Sequence, residues 1–285
     1  IFEQCSDMQF STIAQAFAWG CREIDKIDAR LLLQHVLNID HAVLLTYPDR
    51  LLTSQQASEY SQLVVQRING RPVAYLIGKR EFYDLTLKVT EAVLIPRPET
   101  ETLVEWALRL IPVDQPCKVL DLGTGSGAIA ITIAKHRPQA RVVAVDLSAD
   151  AIAVCQQNVE NLQINNLYLI SGNWFDELSQ ARFDLIVSNP PYVAENDPHL
   201  QQGDLRFEPQ LALSSGNNGL ACISHIIGLA PNHLVQSGWL LLEHGYDQAG
   251  ECKRLFANAG FSNICSYPDL AGIMRVSGGQ MNTSM

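Results

Sequence analysis

In the first 70 residues, apolar side chains recur at three- and four-residue intervals among polar ones, a spacing that predicts amphipathic helices. Three segments show it: 11–21, 28–39 and 53–68. Thr53 or Ser54 can cap the third helix, and Gly70 followed by Pro72 is expected to end it. Because short helices bury their apolar stripes only by stacking on one another, this part of the chain predicts a small helical bundle.

The apolar runs that follow are rich in aromatic and β-branched residues. YLIGKREFY (75–83) and LTLKVT (85–90) are typical of strands, and Asp84 lies between them where a turn would form. The two runs therefore predict a β-hairpin after the helical segment.

From Cys117 onward, short apolar runs alternate with helical patterns. The predicted strands are 118–123, 141–146, 166–171, 183–191 and 238–245, and the predicted helices are 128–136, 149–162 and 221–235. Strands that are apolar almost throughout, separated by helices, indicate a parallel sheet covered on both faces. The boundary between the helical part and this α/β part is expected within 70–116.

Composition narrows the class of partner. The 285 residues carry a formal net charge of −10, which argues against a broad nucleic-acid surface, because such surfaces neutralise phosphates with Lys and Arg. The seven cysteines are scattered without metal-ligand spacing, which predicts free thiols, a reducing cytoplasmic location and no metal site. No apolar run approaches the length that crosses a bilayer.

The segment VLDLGTGSGAIAI (119–131) combines a strand, a glycine-rich turn and the start of a helix. Gly123, Gly125 and Gly127 allow a ligand to approach the backbone, and the helix presents free N–H groups. Ala128 replaces the last glycine of the dinucleotide fingerprint, and Asp121 precedes the turn. A carboxylate there suits S-adenosylmethionine (SAM), which carries a sulfonium and an amine, better than a pyrophosphate. The alternative is a tight turn without a ligand.

Two further strand ends carry candidate ligand contacts. Asp146 ends the second α/β strand, where a carboxylate can accept hydrogen bonds from two ribose hydroxyls; an alternative role is the N-cap of the next helix. Trp174 could lie against an adenine ring and Asn173 could hydrogen-bond its edge, although Trp174 could equally be an ordinary core aromatic.

The fourth strand ends in Asn189, Pro190, Pro191 and Tyr192. The two prolines fix the chain direction and leave carbonyl oxygens without neighbouring N–H groups. The side-chain oxygen of Asn189 and the carbonyl of Pro190 can accept both protons of one planar –NH₂ group, and Tyr192 offers an aromatic face. The motif predicts a clamp for an amide or for the exocyclic amine of a base, with a rigid turn as the alternative.

Several motifs occur in order along the chain. They are PVAYLIGKREFY (72–83), LIPRPETE (94–101), DLGTGSG (121–127), NPPYV (189–193) and RFEP (206–209). DLGTGSG resembles the first SAM-binding motif of class I methyltransferases, and NPPY is shared by enzymes that methylate planar nitrogens. Together the motifs resemble the release factor glutamine methyltransferases, the PrmC/HemK family, over nearly the whole chain.

The resemblance implies a class I SAM-dependent methyltransferase fold, Rossmann-like, with a mostly parallel seven-stranded sheet. It implies an N-terminal helical substrate-recognition domain (1–75), a β-hairpin linker (76–96) and a methyltransferase domain (97–285). The implied reaction moves a methyl group from SAM, giving S-adenosylhomocysteine, to the side-chain nitrogen of the glutamine in the Gly-Gly-Gln loop of class I peptide chain release factors. The expected partner is thus a protein, without direct nucleic-acid or membrane binding.

The resemblance also assigns roles to residues. The implied SAM-binding residues are Asp121, Gly123, Thr124, Gly125, Ser126, Gly127, Asp146, Asn173, Trp174 and Asn189, and the implied glutamine-binding residues are Asn189, Pro190, Pro191 and Tyr192. Asn189, Pro190 and Tyr192 are expected to be catalytic, by aligning the amide. No metal is expected. Asn173 departs from the acidic residue common in related sequences, yet it can still accept a hydrogen bond.

Other polar residues near these motifs receive structural interpretations. Arg80, Arg97 and Glu99 are expected to form structural links between the helical and the α/β parts of the chain, or contacts to the partner protein. Glu208 either shapes the substrate entrance or is a solvated loop carboxylate. Glu243 and His244 at the end of the predicted strand 238–245 invite an acid–base interpretation, but a lone His there is more often structural, and His244 is left out of the catalytic set.

The C-terminal segment 276–285 departs from the family's usual ending. Its Gly278-Gly279-Gln280 copies the substrate tripeptide. This segment is interpreted as a glycine-rich terminus, with self-methylation or self-occlusion as the alternative.

Two rival functions remain at the level of sequence. An adenine-N6 nucleic-acid methyltransferase could use the same clamp, since an adenine amine is also planar, but it should show a basic recognition region. A SAM-binding protein without catalytic activity would transfer no methyl group to any substrate.

Overall fold

The computed structural model describes residues 10–282. The chain divides between Gly78 and Lys79 into two compact units. No helix in this described range is long and apolar enough to cross a membrane.

The first unit is helical, as predicted. Its helices are α1 (Ile13–Glu23), α2 (Lys26–Leu37), α3 (His41–Thr46), α4 (Ser54–Ile68) and α5 (Val73–Ile77). The N-cap of α4 is Thr53, which forms a capping box with Gln56. Phe10, Trp19 and Tyr60 form an aromatic cluster in the core, with ring centroids 5.3 to 6.0 Å apart. The sequence pattern missed the short helices α3 and α5.

The second unit opens with the predicted hairpin, formed by β1 (Lys79–Phe82) and β2 (Leu85–Lys88). The predicted first strand began too early, because 75–77 lie in α5, which ends at Gly78 in the left-handed conformation. The backbone N–H and C=O of Lys88 both bond to the side chain of Asn158. These bonds tie the hairpin to the α/β part of the same unit.

A seven-stranded sheet forms the centre of the second unit, in the order β5-β4-β3-β6-β7-β9-β8. Its strands are β3 (Cys117–Leu122), β4 (Ala140–Asp146), β5 (Leu167–Ser171), β6 (Phe183–Ser188), β7 (Leu234–Glu243), β8 (Phe261–Pro268) and β9 (Met274–Met281). The first five strands in this order are parallel, and β9 runs antiparallel to both its neighbours. The predicted mostly parallel seven-stranded sheet is confirmed.

Helices cover both faces of the sheet. They are α6 (Glu101–Leu110), α7 (Ala128–His136), α8 (Ala149–Asn161), α9 (Gln210–Leu213), α10 (Ala221–Leu229) and α11 (Ala249–Asn258). One core cluster joins α6, α7 and α8 to strand residues such as Val119, and the other joins α10 and α11 to alternate residues such as Leu120. Because successive strand side chains point to opposite faces, one apolar strand supplies both cores.

Two predictions about the last third of the chain are wrong. The predicted helix 221–235 ends at Leu229, and after a short 3₁₀ turn containing Pro231 the chain is already in β7 from Leu234. The Gly278-Gly279-Gln280 tripeptide lies in β9, between β7 and β8, and both glycines are buried. It is therefore part of the sheet and not a glycine-rich terminal extension.

The cysteines of the described residues are free thiols. Cys117, Cys155 and Cys252 are buried, and the other three are half-buried. Cys5 lies outside the described residues. Within 10–282 there is no group of three or more His, Cys, Asp or Glu side chains that could hold a metal ion.

Candidate active site

A cavity of about 380 Å³ opens where the parallel strands of the second unit end. Because β3, β4, β5 and β6 run in the same direction, the segments that follow them meet at one edge of the sheet. The predicted site residues that line the cavity are Gly123, Thr124, Gly125, Ser126, Asp146, Asn173, Trp174, Asn189 and Pro191. Asp121, Gly127, Pro190 and Tyr192 are set back from its wall.

The glycine turn is fixed by its backbone. Gly123, Gly125 and Gly127 have φ angles of 73°, 56° and 86°, in the region that favours glycine. The N–H groups of Gly123 and Thr124 both donate to the carbonyl of Val145 on the neighbouring strand, at 2.8 and 3.0 Å. A Cβ on Gly127 would lie 2.5 Å from the sulfur of Cys155. The sequence of the turn thus follows from its shape and close packing.

Asp121 is a fully buried carboxyl at the end of β3. Its Oδ2 accepts a hydrogen bond from the Thr124 hydroxyl at 2.7 Å, whereas no described residue bonds to its buried Oδ1. Burial, with a smaller contribution from the nearby charge of Asp146, raises the pKa of Asp121 to about 7, and the hydrogen bond from Thr124 opposes this shift. A buried oxygen without a partner is costly, so this carboxylate suits a ligand that brings a cation or a donor.

Asp146 ends β4, and its carboxylate accepts hydrogen bonds from backbone N–H groups of the glycine turn and of the segment before α8. Its Oδ2 accepts from Gly125 N at 2.8 Å, and its Oδ1 accepts from Ser148 N at 2.9 Å. The N-cap of α8 is Ser148, whose hydroxyl accepts from Ala151 N, so the N-cap alternative for Asp146 is wrong. Burial raises the pKa of Asp146. Each oxygen keeps a lone pair for a further donor from the cavity side.

Trp174 and Asn173 follow β5. The half-buried Trp174 ring faces the glycine turn, with one ring carbon 3.5 Å from the position that a Cβ on Gly123 would take. Trp174 thereby forms one wall of the cavity, although it also packs against the core. Asn173 is exposed, and its amide donates to Asp176 at 3.2 Å. That bond leaves the side-chain oxygen of Asn173 as the free acceptor.

The NPPY turn (189–192) leaves two acceptors free. The amide nitrogen of Asn189 donates to the hydroxyl of Thr100 at 3.1 Å. Among the described residues, none donates to the side-chain oxygen of Asn189 or to the carbonyl oxygen of Pro190. The turn therefore presents the two acceptors that a planar –NH₂ group requires.

Tyr192 anchors the turn from behind. Its hydroxyl donates to Oε1 of Glu243 at 3.2 Å, and its carbonyl accepts from the Gln248 side chain at 3.0 Å. Gly219 lies so close that an added Cβ would be 2.2 Å from this carbonyl oxygen. The hydroxyl and the backbone carbonyl of Tyr192 are thus both fixed by neighbouring residues, at the residue that directly follows the two prolines.

Glu243, the residue that the Tyr192 hydroxyl meets, was missed by the sequence interpretation. It ends β7 and is 1% exposed; the only sequence signal was an acidic residue ending an apolar strand. Its neighbour His244 bonds to the Gly245 carbonyl at 2.8 Å and to the Ser277 hydroxyl at 2.9 Å through its two ring nitrogens. His244 is thus engaged within the fold.

Glu208 and Arg97 join the RFEP and LIPRPETE motifs. Glu208 is buried, accepts from Ile95 N at 3.2 Å and forms an ion pair with Arg97. The interpretation of Glu208 as a solvated loop carboxylate is wrong. Arg97 and Pro209 line the cavity, so this ion pair connects two parts of its wall. Arg80 supports the same segment by donating to the Pro96 carbonyl at 3.3 Å.

Comparisons with known proteins agree with this geometry. Residues 14–78 match the family model of the PrmC N-terminal domain, and residues 104–204 match the methyltransferase small domain. The release factor glutamine methyltransferase of Escherichia coli (strain K12) is 44% identical over 90% of this chain and 93% of its own length. The chain belongs to the release factor glutamine methyltransferase family.

Another member, from Xylella fastidiosa (strain Temecula1), is 48% identical over 92% of this chain and 96% of its own length. Among solved structures, a methyltransferase from Pyrococcus furiosus superposes with a TM-score of 0.55, covering 79% of this chain and all of that one at 16% identity. The predicted class I methyltransferase fold is confirmed, and the protein is a methyltransferase.

Proposed function

We propose that the protein transfers a methyl group from SAM to the side-chain amide nitrogen of the glutamine in the Gly-Gly-Gln motif of class I peptide chain release factors, and so modulates translation termination. One observation carries the proposal: two unoccupied acceptors, Asn189 Oδ1 and Pro190 O, lie beside a cavity lined by a glycine turn and Asp146. The relatives named above carry the same activity in their names.

The cavity residues suit SAM. The ionised form of Asp121, with its unpartnered Oδ1, would stabilise a cationic ligand, while the remaining lone pairs of Asp146 would accept from ribose hydroxyls. Trp174 supplies an apolar wall for a purine, and Asn173 an acceptor for its amine. SAM bound there supplies a methyl group on a good leaving group, and S-adenosylhomocysteine remains.

The residues of the NPPY turn perform the alignment. Asn189 Oδ1 and Pro190 O would each accept one N–H of the glutamine amide, which holds the nitrogen in a fixed orientation. An amide nitrogen is a weak nucleophile, so alignment contributes much of the rate, on the order of several kcal/mol. The same two acceptors stabilise the positive charge that develops on nitrogen. The methylated amide then loses its proton readily, and no strong base is required.

The helical first unit is proposed to recognise the release factor. A tripeptide offers too little surface to select one protein, because a standard interface buries roughly 800 Å² on each partner. The net charge of −10 favours a protein partner over bare nucleic acid.

Mass spectrometry of the Gly-Gly-Gln peptide, taken from a purified release factor incubated with SAM and the protein, tests the proposal. We expect one added methyl group on the glutamine and none when that glutamine is replaced. Asn189→Ala should reduce turnover at least ~100-fold with little change in SAM affinity, whereas the exposed Asn258→Ala serves as the matched control. Methyl transfer to duplex DNA or ribosomal RNA, offered in separate reactions, and not to the release factor would contradict it.

A further inference from the structure

Behind the NPPY turn lies a buried polar cluster that the proposed mechanism does not use. At its centre is the carboxyl of Glu243, which ends β7 and is 1% exposed. Its Oε1 accepts from the Tyr192 hydroxyl at 3.2 Å, and within residues 10–282 its buried Oε2 has no hydrogen-bond partner. A buried carboxyl is costly for a fold to retain, and Glu243 has one oxygen that no described residue satisfies.

Thr100 connects this carboxyl to Asn189. The Thr100 hydroxyl accepts from the Asn189 amide at 3.1 Å, and its presence near Glu243 lowers the pKa of that carboxyl. A hydroxyl has a single proton to donate. When it accepts from Asn189, its own proton is free for the carboxylate, which can only accept. The Thr100 proton is therefore available to Glu243, to which the Tyr192 hydroxyl already donates.

We propose that Glu243 is a positioning residue, whose carboxylate, through Thr100, keeps the nitrogen of the Asn189 side chain turned inward and its oxygen available to the substrate amide. The inference rests on the proposed function. A reversed Asn189 amide would present N–H groups to the N–H groups of the substrate and would remove one of the two acceptors. A neutral side chain at position 243 could itself donate to Thr100 and would permit that reversal.

The pKa of Glu243 depends on burial and on the polar and charged groups around it. Burial, with a smaller contribution from the charge of Glu99, raises the pKa of Glu243 to about 7; the Thr100 and Tyr192 hydroxyls and the charge of Arg275 oppose the shift. The carboxylate that orders the protons is thus lost as pH falls through 7. The turnover number kcat should rise with pH across this range with a slope of one proton.

The test compares Glu243→Gln, Thr100→Val and Thr100→Ser with the wild-type protein, using steady-state methylation of a release factor from pH 5.5 to 8.5. We expect Glu243→Gln and Thr100→Val to lower kcat about 10–100-fold at pH 8, with the SAM dissociation constant within about twofold. Thr100→Ser, which keeps the hydroxyl, should restore most of kcat. In Glu243→Gln, the rise of kcat with pH near pH 7 should disappear. The double variant Glu243→Gln/Thr100→Val should have a kcat only slightly lower than that of either single variant.

Two outcomes would overturn the inference: Glu243→Gln with the wild-type kcat and pH profile, or a loss of kcat that parallels a loss of thermal stability and SAM binding. The isosteric glutamine removes a buried charge, so the melting temperature of Glu243→Gln at pH 8 should equal or exceed that of the wild type. Absence of methyl transfer by the wild-type protein would instead refute the proposed function.

Discussion

Asp121 provides a quantitative test of the cofactor site through the pH dependence of SAM binding. The pKa of this carboxyl is about 7 in the unliganded protein, so most of it is protonated at pH 5. A cationic ligand binds its ionised form, and binding below pH 7 must release a proton. The dissociation constant should then rise by the factor 1 + 10^(7 − pH), which is about 100-fold at pH 5 and negligible at pH 8.

Isothermal titration calorimetry of SAM binding from pH 5 to 8, in buffers of different ionisation enthalpy, measures both the affinity and the proton release. We expect close to one proton released at pH 5 and almost none at pH 8. Asp121→Asn should bind SAM more weakly at pH 8 and should lose this proton release, while the exposed Asp114→Asn should match the wild type. A wild-type affinity that does not change with pH would refute the assignment of Asp121.

The raised pKa of Asp121 also predicts how the stability of the unliganded protein changes with pH. The folded-state pKa of Asp121 lies above its unfolded value of 3.8. Its contribution to stability is therefore complete below pH 3.8 and is lost as pH rises through 7, a difference of about 4 kcal/mol. Asp121→Asn should remove this part of the decline in melting temperature between pH 4 and 7. The variant would thus be more stable without ligand at pH 8 and bind SAM less well.

Three further predictions concern the frame of the site. Gly219→Ala should lower both kcat in enzyme assays and the melting temperature, because the added Cβ would collide with the NPPY turn. Gly272 has a similar positive φ, but an added Cβ there would have no atom within 4 Å. Gly272→Ala should therefore lower only the stability, by about 1 kcal/mol, and leave kcat unchanged. Arg97→Met should reduce the free energy of unfolding by about 3 kcal/mol in urea titrations, since it leaves Glu208 buried and unpaired, and adding Glu208→Gln should recover most of this loss. Intact-mass analysis after incubation with SAM should show no methyl group on Gln280, because its strand is paired on both sides.

The parts of the site that could be predicted from sequence are those set by local backbone requirements. Three alternating glycines after a strand require positive φ, and they have it. Asn189 and the glycine turn end parallel strands, and such strands bring their carboxyl ends to one edge. Strand alternation and motif order were therefore sufficient to place these residues around one cavity.

The residues missed or misinterpreted depend on partners distant in sequence. Glu243 meets Tyr192 across 51 residues, and Glu208 meets Arg97 across 111. Neither pairing leaves a local pattern, so in the sequence Glu208 resembles a loop carboxylate and Glu243 is only an acidic residue at the end of an apolar strand.

Strand β9 was hidden for a different reason. Its glycines weaken the strand pattern, yet a Cβ on Gly278 would lie 2.5 Å from a Leu241 methyl and one on Gly279 would lie 2.9 Å from Phe256 and Phe261. The glycines are there because neighbouring side chains fill the space.

The two buried carboxyl groups, Asp121 and Glu243, lie at corresponding places in the sheet, each at the end of a strand next to β6. Asp121 ends β3 and Glu243 ends β7, and β6, which leads into the NPPY turn, lies between these two strands. Methyl transfer from a sulfonium moves positive charge from the donor to the acceptor nitrogen. In the proposed reaction, Asp121 would stabilise the charge before transfer, and Glu243 would order the acceptors that stabilise it afterwards. Both have a pKa raised to about 7 by burial, and strongly shifted carboxyl groups are concentrated at functional sites, which supports a role for both in the proposed transfer.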